Sequence, residues 1–219
     1  MRSVFFTLIL FLFTACSSTK NLPEEPLKIE ELVKETPTEH QVVVATTNPP
    51  KSEIRSSLER YLYQLQSLNT ENIIAMTYPK LFTATSQYLF RGSLYTMANS
   101  SNLKITSFNT KISKIGKIAP FSDGTFTNIA YISLIKVQFI NPTLYNTELS
   151  LNTLHSILAK KYGQKNIYVD KKRREIHIKK QEKMLAIKEK GGEWKFLGDN
   201  PAYRNLYPYF LPQDILDRI

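Results

Sequence analysis

Residues 125–140 read TFTNIAYISLIKVQFI, and the phase of this run decides the fold. Ile129, Tyr131, Ile135, Val137 and Phe139 fall on one side of a two-residue alternation, and Ala130, Ile132 and Leu134 make the other side apolar as well. β-branched and aromatic residues at period two predict a strand rather than a helix. An apolar second face predicts a central strand covered on both sides. Ser122-Asp123-Gly124 supplies a tight turn before the run, and Pro142 ends it.

Working outward, Leu103 and Ile105, then Ile112, Ile115 and Ile118, form an apolar strand pattern leading into that turn. Downstream, Asn166 to Val169, Glu175 to Glu189 with a bulge, and Trp194 to Leu197 read as strands. Turns at Asp170 to Arg174 and Gly191-Gly192 separate them. Between the two strand groups, Leu151, Leu154, Leu158 and Tyr162 keep helical register over Leu149 to Tyr162, with Gly163 at the C-cap. The region before residue 100 is helical in pattern. Ser52 caps a first helix after Pro49-Pro50, with Ile54, Leu58, Leu62 and Leu65 as its apolar stripe opposite Arg55, Glu59 and Arg60. A second helix starts at Asn69 or Thr70 and carries Ile73, Ile74 and Met76; Pro79 forces a kink after Tyr78; a third runs from Thr85 to Ala98 with Phe90, Leu94 and Met97 on one side. Helices followed by a curved antiparallel sheet make an α+β fold with the helices packed on one sheet face.

With these elements placed, Tyr78-Pro79-Lys80-Leu81-Phe82 after two helices, Met184-Leu185-Ala186-Ile187, and Gly192-Glu193-Trp194-Lys195-Phe196-Leu197 resemble the nuclear-transport-factor-two-like cone over most of residues 53–200. A cystatin-like or other helix-on-sheet fold is the alternative. The resemblance implies a cavity between sheet and helices, which some members use for isomerisation or dehydration. The positions that would line it are Tyr78, Phe82, Tyr131 and Trp194, all of which also fit as core.

No constellation of reactive residues marks an enzyme. His40, His155 and His177 have no metal-ligand spacing, no Gly-x-Ser-x-Gly elbow occurs, and the seven glycines are scattered at turns, so neither a cofactor nor a metal is expected. Glu175 and Glu182 lie on a strand among lysines and arginines and read as surface ion pairs. Charge is the uneven feature. The chain is +10; the leader's single arginine and the tether's four lysines against six glutamates leave +11 on residues 53–219. Lys171-Lys172-Arg173-Arg174 crowns a hairpin and reads either as a solvated face or as a contact for anionic headgroups or an acidic polymer. No nucleic-acid recognition module is present. Tyr203, Tyr207, Tyr209 and Phe210 among Pro201, Pro208 and Pro212 read as an extended tail that covers core, plugs the cone mouth or meets a partner.

The N-terminus supplies an address. About 12 apolar residues between Arg2 and Cys16 are too few to cross a bilayer, which takes roughly 20, and they match the core of a secretory signal. Leu12-Phe13-Thr14-Ala15-Cys16 resembles the lipobox of bacterial lipoproteins, with Phe13 in place of the usual leucine. The resemblance implies removal of residues 1–15 and acylation of Cys16, the only cysteine in the chain. Ser17, in a place where an aspartate would retain such a protein at the inner membrane, implies by the same resemblance lipid anchoring to the outer membrane, with the periplasmic side as the default and cell-surface display as the alternative. Residues 16–52 then form a polar, proline-containing tether, and residues 53–219 one domain. Taken together, the sequence predicts an envelope-anchored, non-catalytic binding or assembly module whose partner is an envelope protein or anionic polymer. The alternative is a small-molecule isomerase, dehydratase or hydrolase using the cone.

Overall fold

A computed structural model describes residues 49–141, 143, 147–199 and 201–219. Cys16 and the leader and tether readings up to residue 48 lie outside the described residues.

The first helix, α1 (Pro49–Gln66), starts three residues earlier than Ser52. The prolines open the helix instead of preceding it, because proline's fixed φ and missing N–H suit the first turn, whose N–H groups have no helical acceptor. Ile54, Leu58 and Leu62 are buried along one stripe, each contributing about 1.5–3 kcal/mol. Helix α2 (Thr70–Met76) is capped by the Asn69 side chain, which accepts from the Asn72 N–H at 3.2 Å. A short helix that the sequence reading did not include, α3 (Leu81–Ala84), follows the Pro79 kink, and the expected third helix stands as α4 (Gln87–Ala98), capped by Ser86.

Six strands follow: β1 (Leu103–Ile115), β2 (Ala119–Phe121), β3 (Gly124–Phe139), β4 (Ile167–Asp170), β5 (Glu175–Glu189) and β6 (Lys195–Gly198). Helix α5 (Glu148–Tyr162) stands between β3 and β4, capped by Thr147 and stopped at Gly163, whose φ of 87° suits a residue without a side chain. All strands are antiparallel in the order β1-β3-β5-β4, with β2 extending β3 and β6 pairing the far half of β5. β3 is central, as its composition predicts. The β3–β5 ladder runs unbroken from Gly124↔Glu189 to Gln138↔Glu175, so β5 carries no bulge. The irregularities lie in β1 instead, between Ile105 and Ser107 and between Ile112 and Lys114; an extra residue at each point bends and twists the strand.

The two sheet faces differ. One carries Ile129, Tyr131, Ile135 and Val137 of β3 with Ile176, Met184 and Ala186 of β5. Helices α1, α2 and α4 cover one part of it and α5 the rest. The other face is covered only near the β2–β3 turn. There Phe126, Leu185, Ile187 and Leu197 pack under Tyr207, Phe210, Leu211 and Ile215, which come from a 3-10 helix (Pro201–Tyr209), α6 (Gln213–Leu216) and the turn between them. The tail is therefore helical rather than extended, since 3-10 turns tolerate the prolines, and it seals the face away from the helices instead of plugging a mouth between helices and sheet. Tyr209 is exposed, and the Tyr203 side chain lies outside the described residues. Further along this face Ala130, Ile132 and Leu134 are only half-buried, so the central strand is covered on both sides only at its first end.

Gly124 fixes the closest backbone approach. A Cβ built on it would sit 2.1 Å from the Lys188 carbonyl oxygen and 2.9 Å from the Glu189 Cα. Gly124→Ala is expected to pry β3 from β5 and cost about 3 kcal/mol, read as a fall of roughly 6–12 °C in Tm.

Candidate functional site

Two polar arrangements stand out, one under the helices and one on the open face. The ladder sets Ser133 opposite Lys180 and Tyr131 opposite Glu182. All four point into the helix-covered face and are buried. The Lys180 Nζ lies 2.5 Å from Glu182 Oε1, with their side chains 2% and 5% exposed, and the Ser133 hydroxyl donates to Glu182 Oε2 at 2.5 Å. The Tyr131 phenol lies opposite Glu182 in the ladder and feels its charge. Glu182 is thus a buried, fully engaged anion, not the surface partner that its lysine neighbours suggest. Period two explains why: Lys180 and Glu182 share the inward phase of Ile176, Ile178, Met184 and Ala186.

Burial shapes the protonation of this cluster. It lowers the Lys180 pKa to about 8, against the pull of Glu182. Desolvation raises Tyr61 and Tyr162 to about 12 and, with Glu182 adding repulsion, lifts Tyr131 well above the usual phenol value. The signs give a pH profile. Between about 8 and the unfolded lysine value of 10.5 the unfolded chain holds the Lys180 proton that the folded one releases, so stability rises with pH. Above pH 10 the unfolded tyrosines ionise while the folded ones do not, and stability falls. Denaturant unfolding is expected to show a maximum between pH 9 and 10, lost in Lys180→Met.

A carboxylate holding an ammonium on one oxygen and a hydroxyl on the other, in a buried site, has little capacity left to take a substrate proton. The arrangement ties β3 to β5 in one register. Of the four positions assigned to a ligand pocket, Tyr131 and Trp194 are buried, and Phe82 partly buried, in the cluster beneath α1, α2 and α4. Tyr78 is in the other one, under the C-terminal segment. Alternation separates it: Thr77 bridges Phe196 and Tyr78 N–H donates to the Phe196 carbonyl at 2.9 Å, so successive side chains pass to opposite faces around β6. The Tyr78 hydroxyl lies 3.0 Å from Glu189 Oε1, which also pairs with Lys80 at 2.6 Å. The Trp194 Nε1 is buried without an acceptor among the described residues.

The hairpin cations are largely spent within the domain. Lys171 pairs with Glu148, Arg173 lies 3.9 Å from Asp170, and Arg174 Nη2 donates to the Asn141 carbonyl at 3.3 Å; Lys172 is exposed. The open sheet face is different. Lys104, Lys111 and Lys114 of β1, Lys136 of β3 and Lys179 and Lys183 of β5 all share its phase. Among the described residues no ion pair ties any of the six. They flank the half-buried Ala130, Ile132 and Leu134 on both sides: Lys114 and Lys183 oppose Ala130, Lys111 opposes Ile132, and Lys179 opposes Leu134. The acids in this phase stand at its two ends: Asp199 and Glu189 at the covered end, paired with Arg204 and Lys80, and Glu175 and Asp170 at the other. Glu175 is buried, held by His177 Nε2 at 2.5 Å and by the Thr106 hydroxyl at 3.2 Å, and Asp170 accepts from the Arg173 backbone N–H at 3.0 Å. Sequence reading missed this surface because its lysines are spread over 80 residues and meet only once the strand register is known.

Comparison of the chain with protein-family models, curated proteins and solved structures gives no match. Among the described residues no helix is long and apolar enough to cross a membrane, and no three His, Cys, Asp or Glu side chains gather as a metal site would require.

Proposed function

We propose that this chain is an envelope lipoprotein, acylated on Cys16 and held at the outer membrane, whose folded part is a non-catalytic binding or assembly module of the nuclear-transport-factor-two-like class. Support for the cone reading comes from three helices laid against one face of an antiparallel sheet whose β1 is bent by two irregularities. One observation carries the binding reading: six lysines surround an apolar strip on a sheet face that the domain leaves uncovered. The ionisable groups under the helices neutralise one another, which weighs against the isomerase, dehydratase or hydrolase alternative.

A photoreactive residue placed at Ile132 in the full chain tests this in intact cells of the native host, with the exposed α4 position Tyr88 as control. The expected result is adducts at 132 and none at 88, reduced when Cys16→Ala prevents acylation. Equal labelling at both positions, no labelling at 132, or labelling indifferent to Cys16 would overturn the proposal.

A further inference from the structure

We infer that the six-lysine sheet face is a docking surface for an anionic lipid bilayer, with the phosphates of its headgroups as the groups recognised. The inference rests on the reading of this face as the binding surface and adds its partner.

The dimensions fit a surface rather than a pocket. Strands spaced about 4.8 Å apart set Lys114 and Lys183 roughly 10 Å from each other across β3. The eight steps from Ala130 to Gln138 extend the face by about 27 Å. Lys104, Lys111, Lys114 and Lys183 are exposed, and Lys136 and Lys179 are half-buried along their stems, the arrangement in which a lysine lays its methylenes on apolar surface and lifts its ammonium to the level of an anion.

Chemistry selects among anionic partners. All six cations are lysines; planar, two-pronged recognition of a particular carboxylate or phosphate favours arginine, whereas mobile point charges suit a diffuse array of phosphates. Protein interfaces are depleted in lysine and rest on Trp, Tyr and Arg anchors, and the strip between these lysines is alanine, isoleucine and leucine. Single-stranded nucleic acid needs aromatic platforms for its bases; among the described residues the exposed aromatic ring on the strand beside these rows is Tyr168, which sits on the short β4 against His177. The acids that would repel a phosphate stand at the two ends of the face and each is engaged: Glu175 by His177 and Thr106, Asp170 by Arg173, Asp199 by Arg204 and Glu189 by Lys80.

The test is sedimentation of the full chain carrying Cys16→Ser, which removes acylation, with vesicles of phosphatidylcholine alone or of phosphatidylcholine and phosphatidylglycerol in equal parts. Binding is expected only to the anionic vesicles and is reversed by salt. Lys111→Gln/Lys114→Gln/Lys183→Gln is expected to weaken it about a hundredfold, near fivefold per lysine. The charge-matched Lys160→Gln/Lys171→Gln/Lys172→Gln chain is expected to lose no more than a few-fold. Circular dichroism checks that both variants fold; all six substituted lysines are exposed, and Lys171, which pairs with Glu148 at the surface, gives up one exposed ion pair. Equal losses in the two variants, no loss in the first, or equal binding to uncharged vesicles overturns the inference. A protein adduct at position 132 in cells, with no vesicle binding, overturns the bilayer as partner while leaving the binding-module reading standing.

Discussion

Glu182→Ala is expected to lower the stability of the domain by about 3–5 kcal/mol, because it strands the buried Lys180 ammonium without its counter-ion. For a chain of this length that is roughly 6–20 °C in Tm. The loss should be pH-dependent in a way that a cavity alone cannot reproduce. Burial already holds Lys180 near pKa 8, and without the carboxylate its release of the proton moves to lower pH. The variant therefore recovers stability as pH rises through neutrality, in a range where the unmodified protein barely changes. Replacing both partners by apolar residues of similar size, Lys180→Met with Glu182→Leu, is expected to restore most of the loss, since neither charge then has to be desolvated. Ser133→Ala removes one donor and should cost about 1–3 kcal/mol. If Glu182→Ala melts like the unmodified chain at every pH, the pair is not buried as described.

That pair also shows how much the sequence discloses. Lys179-Lys180-Gln181-Glu182-Lys183 looks like a solvated run when judged by composition. Judged by phase, its even members continue the inward set of Ile176, Ile178, Met184 and Ala186, and its odd members join the outward lysines. The signal was present in the alternation, and composition hid it. The central strand and the stripe of α1 were legible because each rests on its own local periodicity. The basic face was not, because Lys114 and Lys183 come to flank Ala130, and Lys104 comes beside Lys136, only through the pairing of β1, β3 and β5. The tail misled for a different reason: three prolines exclude an α-helix but leave a 3-10 helix open, and nothing local says which sheet face it will cover.

Ending the chain after Asp199 is expected to unfold the domain, the largest effect foreseen here. The cut removes Tyr207, Phe210, Leu211 and Ile215 from above Phe126, Leu185, Ile187 and Leu197. At about 1.5–3 kcal/mol for each buried side chain, the four together are worth on the order of 6–12 kcal/mol, comparable with the 5–15 kcal/mol that holds a typical domain together. Polar ties would go as well: Arg204 grips Asp199 through two bonds of 2.8 and 3.0 Å, the Tyr207 hydroxyl donates to the Gly198 carbonyl at 3.1 Å, and the Ser122 N–H donates to Asp214 at 2.9 Å. Ile215→Ala, which keeps the segment but opens a cavity beneath it, should cost about 2–5 kcal/mol in denaturant unfolding. A truncated chain that stayed folded would make the segment a detachable cover and add its hidden apolar patch to the open sheet face. One that collapses makes it an integral wall, and leaves the lysine-flanked strip as the uncovered part of that face.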